Sequence, residues 1–369
     1  MQSPTVRLFA ALGATAALLA GGLGVAAPEW PTAAPSAVGA DPAPLERLPA
    51  AIEHGDYPKT TSVLVVYRGQ LIYERYFEGG GADVLNDTRS ATKSITSLAV
   101  GAAIADGAIP AVTSPAFAFL KDRAPFANAS PLKDAVTIED LLTMSSALDC
   151  DDDVDASPGN EDRMHEQSDW TRWAVDLPLK ADWRRDGEGR GPFSYCTAGA
   201  VLLGQILQRA ERTPVDRFIE ARILSPLGVS RGDWPRSPTG EVMTGGGLRL
   251  RSRDLAKLAW MMVDGGTWQG RRVIGADWLT AATTIHRHVR PGADYGYLYW
   301  RTEYAGRCGP VEGWYMAGNG GNAIVALKSL GTAVVVTRRA YNTHGMHEAT
   351  KDLIERYVLP ALPCAPAAS

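Results

Sequence analysis

The spacing of apolar residues gives the chain β-like ends and a helical middle. Leu45, Leu48 and Ile52 make a short helical stripe, and folded structure is expected from about Leu45. Ser62 to Tyr67 and Gln70 to Phe77 are rich in apolar and β-branched residues and flank Arg68-Gly69, a hairpin signature. Gly79-Gly80-Gly81 follows, with no Gly-Lys-Ser/Thr to complete a phosphate loop. Between Ala91 and Asp106, Ile95, Leu98, Ala99, Ala102 and Ala103 recur at helical spacing with little charge, which predicts a buried helix. Thr137 to Met144 predicts another, with Thr137 as N-cap and Asp140 three residues on. Ala198 to Ala210, Pro214 to Ile223 and Leu255 to Val263 continue the helical pattern. After Tyr295 the runs turn β-like again, at Gly296 to Trp300, Ala323 to Leu327 and Ala333 to Thr337. An amphipathic helix over about His347 to Val358 closes the series.

This order predicts an α/β domain made from residues 45–115 and 235–369, with a mainly helical domain, 116–234, inserted. Residues 28–44 are Ala- and Pro-rich with few large apolar side chains and read as a flexible linker. Before them, Arg7 and the uncharged run Leu8 to Ala27 read as a signal peptide over 1–27, with an uncleaved anchor formed by residues 8–27 as the alternative. Either reading implies export to the periplasm or beyond, and the only membrane contact expected is through that anchor.

Composition then removes whole classes. With 45% hydrophobic and 21% charged residues, the 369-residue chain is globular. Lys plus Arg number 37 against 41 Asp plus Glu, so there is no basic excess to bind nucleic acid. Four cysteines without a Cys-x-x-Cys pair argue against a zinc ribbon or a thioredoxin-like site.

Three segments could carry chemistry. In Arg89-Ser90-Ala91-Thr92-Lys93, Ser90 and Lys93 share one face at the opening of the predicted buried helix. A serine hydroxyl is a weak nucleophile until a neighbour accepts its proton. A lysine in a water-poor pocket can be that neighbour, and Ser90 at a helix start offers its own N–H to an oxyanion. The plain alternative is an N-cap and a surface lysine, but Lys93 would sit on a helix with almost no polar face. In Ser194-Tyr195-Cys196-Thr197, Tyr195 ends an extended stretch just before a helix; alone, it reads equally as a packed aromatic. In Ala317-Gly318-Asn319-Gly320-Gly321-Asn322, glycines lead into what reads as an edge strand and would let a substrate approach backbone N–H groups.

Other features read as ordinary. The six histidines lack a Gly-x-Ser-x-Gly elbow for a Ser-His-Asp triad, and His344, His347 and Glu348 are not in the order of a zinc protease. The run Asp149, Asp151, Asp152, Asp153, Asp155 has Ala156 where a calcium loop needs glycine, so it reads as a solvated loop. No metal or cofactor is expected.

Taken together, the order Ser-x-x-Lys, Tyr-x-Thr and a glycine-bearing strand resembles the serine hydrolases related to class C β-lactamases, D-Ala-D-Ala carboxypeptidases and family VIII esterases, most of all the 6-aminohexanoate-dimer hydrolase-like branch. Thr137 to Ser146, Gly245-Gly246-Gly247-Leu248, Ser252 to Leu258 and Asp294 to Trp300 add to it, so the resemblance covers roughly residues 45 to 360. It implies a β-lactamase/transpeptidase-like fold, an antiparallel sheet flanked by helices with an inserted helical domain. It implies Ser90 as acylated nucleophile, Lys93 as its proton partner and Tyr195 as base and leaving-group acid. Thr197, Gly318, Gly320, Gly321 and Asn322 would bind substrate or, with Ser90 N–H, the oxyanion. Gly318-Asn319-Gly320 replaces the Lys-Thr-Gly of many β-lactamases, removing the cation that meets a β-lactam carboxylate, and Thr197 stands where asparagine is common. The implied function is hydrolysis of a small-molecule ester or short amide with weak or no β-lactamase activity. A D-amino-acid peptidase and a non-catalytic penicillin-binding-like receptor are the alternatives. Trp170, Trp173, Trp300, Trp314 and Tyr315 could line an aromatic cleft. In the related hydrolases the segments holding Cys150 and Cys196 both border the cleft, which implies a Cys150–Cys196 disulfide and leaves Cys308 with Cys364; four free thiols are the alternative.

Overall fold

The computed structural model describes residue 1, residues 30–181, 183, 185–186, 189–229 and 232–364. The expected signal or anchor falls in 2–29, outside the described residues. Eight strands form the main sheet: β1 (Thr60–Tyr67), β2 (Gln70–Tyr76), β3 (Arg287–Arg290), β4 (Ala293–Tyr295), β5 (Trp300–Gly306), β6 (Gly309–Gly318), β7 (Asn322–Leu327) and β8 (Thr332–Arg338). Their spatial order is β2-β1-β8-β7-β6-β5-β4-β3, and every neighbouring pair is antiparallel. The first hairpin closes as its sequence predicts, with Arg68 at φ 48° and Gly69 at φ 81° supplying the left-handed pair that a tight turn needs.

Every residue of β1, β7 and β8 is buried, because helices cover both faces there. The helices that matter are α1 (Pro42–His54), α2 (Thr92–Ala105), α3 (Ile138–Leu142), α4 (Thr197–Ala210), α5 (Ser252–Val263) and α6 (Met346–Leu353). Leu45 and Leu48 of α1 join Leu353 and Val358 against Val63, Val65, Val325 and Val334 on one face. On the other, α5 lies across β1, β7 and β8. Helix α2 packs between α4 and β6, with Leu98, Ala99 and Val100 fully buried. Thr137 and Asp140 cap α3 reciprocally (3.0 and 2.9 Å), the capping box read from the sequence.

Three local expectations are corrected. Asp41 caps α1 through Ala43 N–H (3.0 Å), and Ala33 N–H donates to Leu71 O (3.2 Å), so the chain is already packed within the Ala/Pro-rich stretch. Proline suits a linker, but it equally suits the first turn of a helix, where Pro42 stands. The strand expected at Gly296 begins only at Trp300, because Leu298 adopts φ 61° and donates its N–H to Leu142 O (3.0 Å). Strand β7 is interior, not an edge: β6 pairs along it. Gly309, Gly313 and Gly318 hide β6 in the sequence, yet at Gly313 a Cβ would lie 2.4 Å from the Tyr304 ring. Among the described residues no helix is long and apolar enough to cross a membrane.

Because α2 presents the site from the middle of the fold, it should tolerate little core loss. Leu98→Ala is expected to lower unfolding free energy in urea by about 2–5 kcal/mol; a loss under about 1 kcal/mol contradicts the placement of α2 at the core.

Candidate active site

Ser90 sits in the single turn Arg89–Ala91 that feeds α2. The turn is reached through Arg89 at φ 50°, held by its N–H to Asp87 Oδ1 (2.9 Å) and by Gly247 N–H to Arg89 O (3.1 Å). A non-glycine residue in this conformation costs about 1–3 kcal/mol and needs such anchoring. One helical turn on, Lys93 is 1% exposed. Its Nζ donates to Ser90 Oγ (3.1 Å), Thr197 Oγ1 (2.8 Å) and Gly245 O (2.7 Å). A side chain at Gly245 would meet Thr197 Cγ2 at 2.6 Å, so glycine is what lets that carbonyl reach the amine.

Tyr195 completes the group. Its ring lies 4.9 Å from Lys93 Nζ and stacks on Trp300 at 5.9 Å. Burial pushes its phenol above the ordinary value, while Lys93 and a hydrogen bond with Ser90 pull it back. The backbone around it is fixed on both sides: Ser194 Oγ donates to Cys150 O (2.6 Å), Asp152 N–H donates to Tyr195 O (2.8 Å), and Cys196 is joined to Cys150 with Cα atoms 5.4 Å apart. Cys308 and Cys364 form the second disulfide. Both pairs are those the resemblance implied.

The acidic run is more than a solvated loop. Asp152 turns inward and accepts Thr197 N–H (2.7 Å) and Glu161 N–H (3.0 Å), which tethers the loop to the start of α4. Burial, with Glu161 adding to it and Lys93 opposing, raises its carboxyl to about 6. Burial would also raise Glu161, but His165 and Lys93 hold it below its ordinary value. The sequence marked Asp152 only as part of an acidic run and did not mark Glu161; their place beside Tyr195 appears only in the fold.

The structure brings Ser90, Tyr195, Gly318, Trp300 and Tyr315 into one cleft of about 300 Å³. Gly318 presses on the turn before Ser90: a Cβ there would lie 2.1 Å from Thr88 O. Thr197 is not on the cleft surface; it is buried, with its hydroxyl held by Lys93. Gly320, Gly321 and Asn322 also turn away. Gly320 N–H donates to Met346 Sδ (3.1 Å), and a Cβ on Gly321 would meet Arg338, Met346 and Thr350. Asn322 Nδ2 donates to Asn319 O (2.9 Å) and its Oδ1 accepts Arg338 N–H (3.1 Å). Gly320 and Gly321 seat the β6–β7 turn against α6 at φ 92° and 86°, which favour glycine, and Asn322 braces the turn from within. Of the other aromatics, Trp170 is buried beside His165, and Trp314 packs over Gly296.

With this geometry in hand, comparison gives consistent matches. Residues 52–356 match the family described as Beta-lactamase. Over 245 residues the chain is 28% identical to a 6-aminohexanoate-dimer hydrolase of Paenarthrobacter ureafaciens, an alignment covering 63% of this chain and only 59% of that relative's length. A D-stereospecific amidohydrolase from Streptomyces sp. has a TM-score of 0.63 at 17% identity, covering 86% of this chain and 98% of the other. A family VIII carboxylesterase has a TM-score of 0.64 at 16% identity, covering 85% and 96%. At these identities the two structures establish a common fold.

The Cys150–Cys196 bond lies one residue from Tyr195, so its loss should be felt at the site first. Under graded dithiothreitol, amide hydrogen exchange around Tyr195 is expected to speed up before far-UV circular dichroism changes. Exchange there that stays slow until the fold is lost contradicts this.

Proposed function

The chain belongs to the beta-lactamase family, and from that premise we propose that it is a serine hydrolase that opens an ester or short amide bond through an acyl-enzyme on Ser90. The observation that carries the reading is the buried Lys93 amine, 3.1 Å from Ser90 Oγ, beneath the Tyr195 ring. The Ser90 proton passes to the Tyr195–Lys93 pair. Ser90 Oγ then bonds to the carbonyl carbon, and Ser90 N–H at the start of α2 faces the oxygen that gains charge. Collapse breaks the bond to the alcohol or amine, which leaves with the proton returned by Tyr195. Water, deprotonated by the same pair, attacks the acyl carbon; the acyl carbon–Oγ bond breaks, the acid leaves, and the pair returns the proton to Ser90 Oγ.

Esters and short amides are the substrate class that the amidohydrolase, carboxylesterase and dimer-hydrolase relatives support. β-Lactam turnover is proposed to be weak, since Gly318 stands where a lysine cation would meet the ring carboxylate. Two disulfides suit an oxidising compartment, which supports export of the chain.

Ser90→Ala should lower p-nitrophenyl ester hydrolysis by about 10³-fold or more with the far-UV spectrum unchanged, and Lys93→Ala combined with Tyr195→Phe should be far from additive. Residual turnover within about tenfold of wild type in Ser90→Ala counts against the assignment. Cephalosporins should turn over at least about 100-fold more slowly than the best ester; similar rates contradict the argument from the lysine missing at Gly318.

A further inference from the structure

Thr197 ties Lys93 to α4 by accepting from its amine (2.8 Å), so the threonine must place its own hydroxyl proton elsewhere. Two carboxylates are within reach of that hydroxyl, Asp152 and Glu161. Both Asp152 oxygens already accept backbone N–H groups, of Thr197 (2.7 Å) and of Glu161 (3.0 Å), which leaves Glu161 the freer acceptor. Glu161 opens the short helix Glu161–His165. Asn160 seats that helix: its Oδ1 accepts Asp162 N–H (2.9 Å) and its Nδ2 donates to Asp152 O (3.2 Å). One turn on, His165 Nε2 lies 3.5 Å from Glu161 Oε1, and the His165 ring meets Trp170 edge-on at 5.6 Å. A Cβ at Gly246 would lie 3.7 Å from the same Glu161 oxygen, so the carboxylate stands beside the segment whose Gly245 carbonyl also holds Lys93. Glu161 and Ser90 line the same two cavities, the cleft of about 300 Å³ and a smaller one of about 200 Å³ that includes His165. The charged groups around Glu161 are Lys93 and Arg89 from α2 and its turn, Asp152 and Asp153 from the acidic loop, and Asp162 and His165 of its own helix. Burial opposes a charge on Glu161, but His165 and Lys93 hold its carboxyl below the ordinary value, so it is an anion at neutral pH.

We propose that Glu161, oriented by His165, is a positioning residue of the hydrolase: it accepts the Thr197 hydroxyl, keeps Thr197 Oγ1 turned towards Lys93, and so holds the Lys93 amine on Ser90. The inference rests on Ser90 being the acylated residue, since it concerns how that serine is activated. Of the three bonds made by Lys93 Nζ, those to Thr197 and Gly245 fix its direction and the third meets Ser90. Without Glu161 as acceptor the Thr197 hydroxyl is free to turn, and Lys93 loses one of its two anchors. The same anion leaves a mark on proton transfer. Burial raises the Tyr195 phenol, Lys93 and Ser90 oppose it, and Asp152 and Glu161 add to it. Glu161 also adds to the burial that raises Asp152, and its hydrogen bond raises His165. Removing its charge therefore moves proton loss from each of these groups to lower pH. Removing His165 has the opposite sign, because Glu161 then takes up its proton at higher pH.

The test is the pH profile of kcat/KM on an uncharged ester, p-nitrophenyl butyrate, with far-UV circular dichroism as the check on folding. Glu161→Gln should lower the plateau about tenfold and move the acid limb down by about half to one pH unit. Thr197→Val, which keeps the shape and removes the hydroxyl, should lower the plateau by a similar factor, and the double variant should fall little further than either alone. His165→Gln should move the acid limb up instead; His165 is exposed, so this variant decides the matter if Glu161→Gln does not fold. A Glu161→Gln plateau within about twofold of wild type, a loss with the acid limb unmoved, or losses that multiply in the double variant overturns the proposal. An unmoved limb in His165→Gln overturns it too. Ser90→Ala run alongside separates the two claims: if it is inactive, any of these results refutes the Glu161 role alone, whereas an active Ser90→Ala refutes the serine mechanism and this role with it.

Discussion

Burying the amino group of Lys93 obliges the chain to bring it acceptors, because an unpaired nitrogen in an apolar interior costs several kcal/mol. Three separate segments answer: the turn before α2 with Ser90, the first residue of α4 with Thr197, and the Gly245 carbonyl. Each is then locked from outside. Asp152 holds the start of α4, the absence of a side chain at Gly245 lets its carbonyl close in, and Gly318 presses β6 against Thr88. The site is therefore the point at which the helical middle of the chain and the sheet are tied together, and its geometry is part of the folding problem rather than an addition to it.

How much of this is legible in the sequence depends on whether the cause is local. The β1–β2 hairpin, α2, the capping box of α3 and the helix that carries Thr197 follow from spacing and turn chemistry within a few residues, so they stand where expected. Ser90 and Lys93 are three apart, across the turn that feeds α2, and their meeting could be read directly. Tyr195 could be placed with them only through resemblance, since about a hundred residues intervene. Asp152 stood out only as one member of an acidic run that read as a solvated loop, and Glu161 carried no signal at all. Their roles arise when that loop folds back over α4, which leaves neither a period nor a motif.

The glycines after β6 show the opposite failure, a motif that promised more than the fold uses. Gly318 does border the cleft, but Gly320 and Gly321 are glycines because the β6–β7 turn needs positive φ and lies tight against α6. A substrate-binding loop and a tight structural turn have the same composition; only the identity of the atoms that crowd them distinguishes the two.

Acylation of Ser90 is the step on which every role assigned to Lys93 and Tyr195 depends. Brief reaction with an active-site acylating ester, acid quenching and peptide mapping by mass spectrometry would locate the adduct. The account predicts a single acyl group on the peptide holding Ser90, absent in Ser90→Ala and lost on standing as water regenerates the enzyme. An adduct on another residue, or hydrolysis that proceeds with Ser90 never labelled, would contradict it.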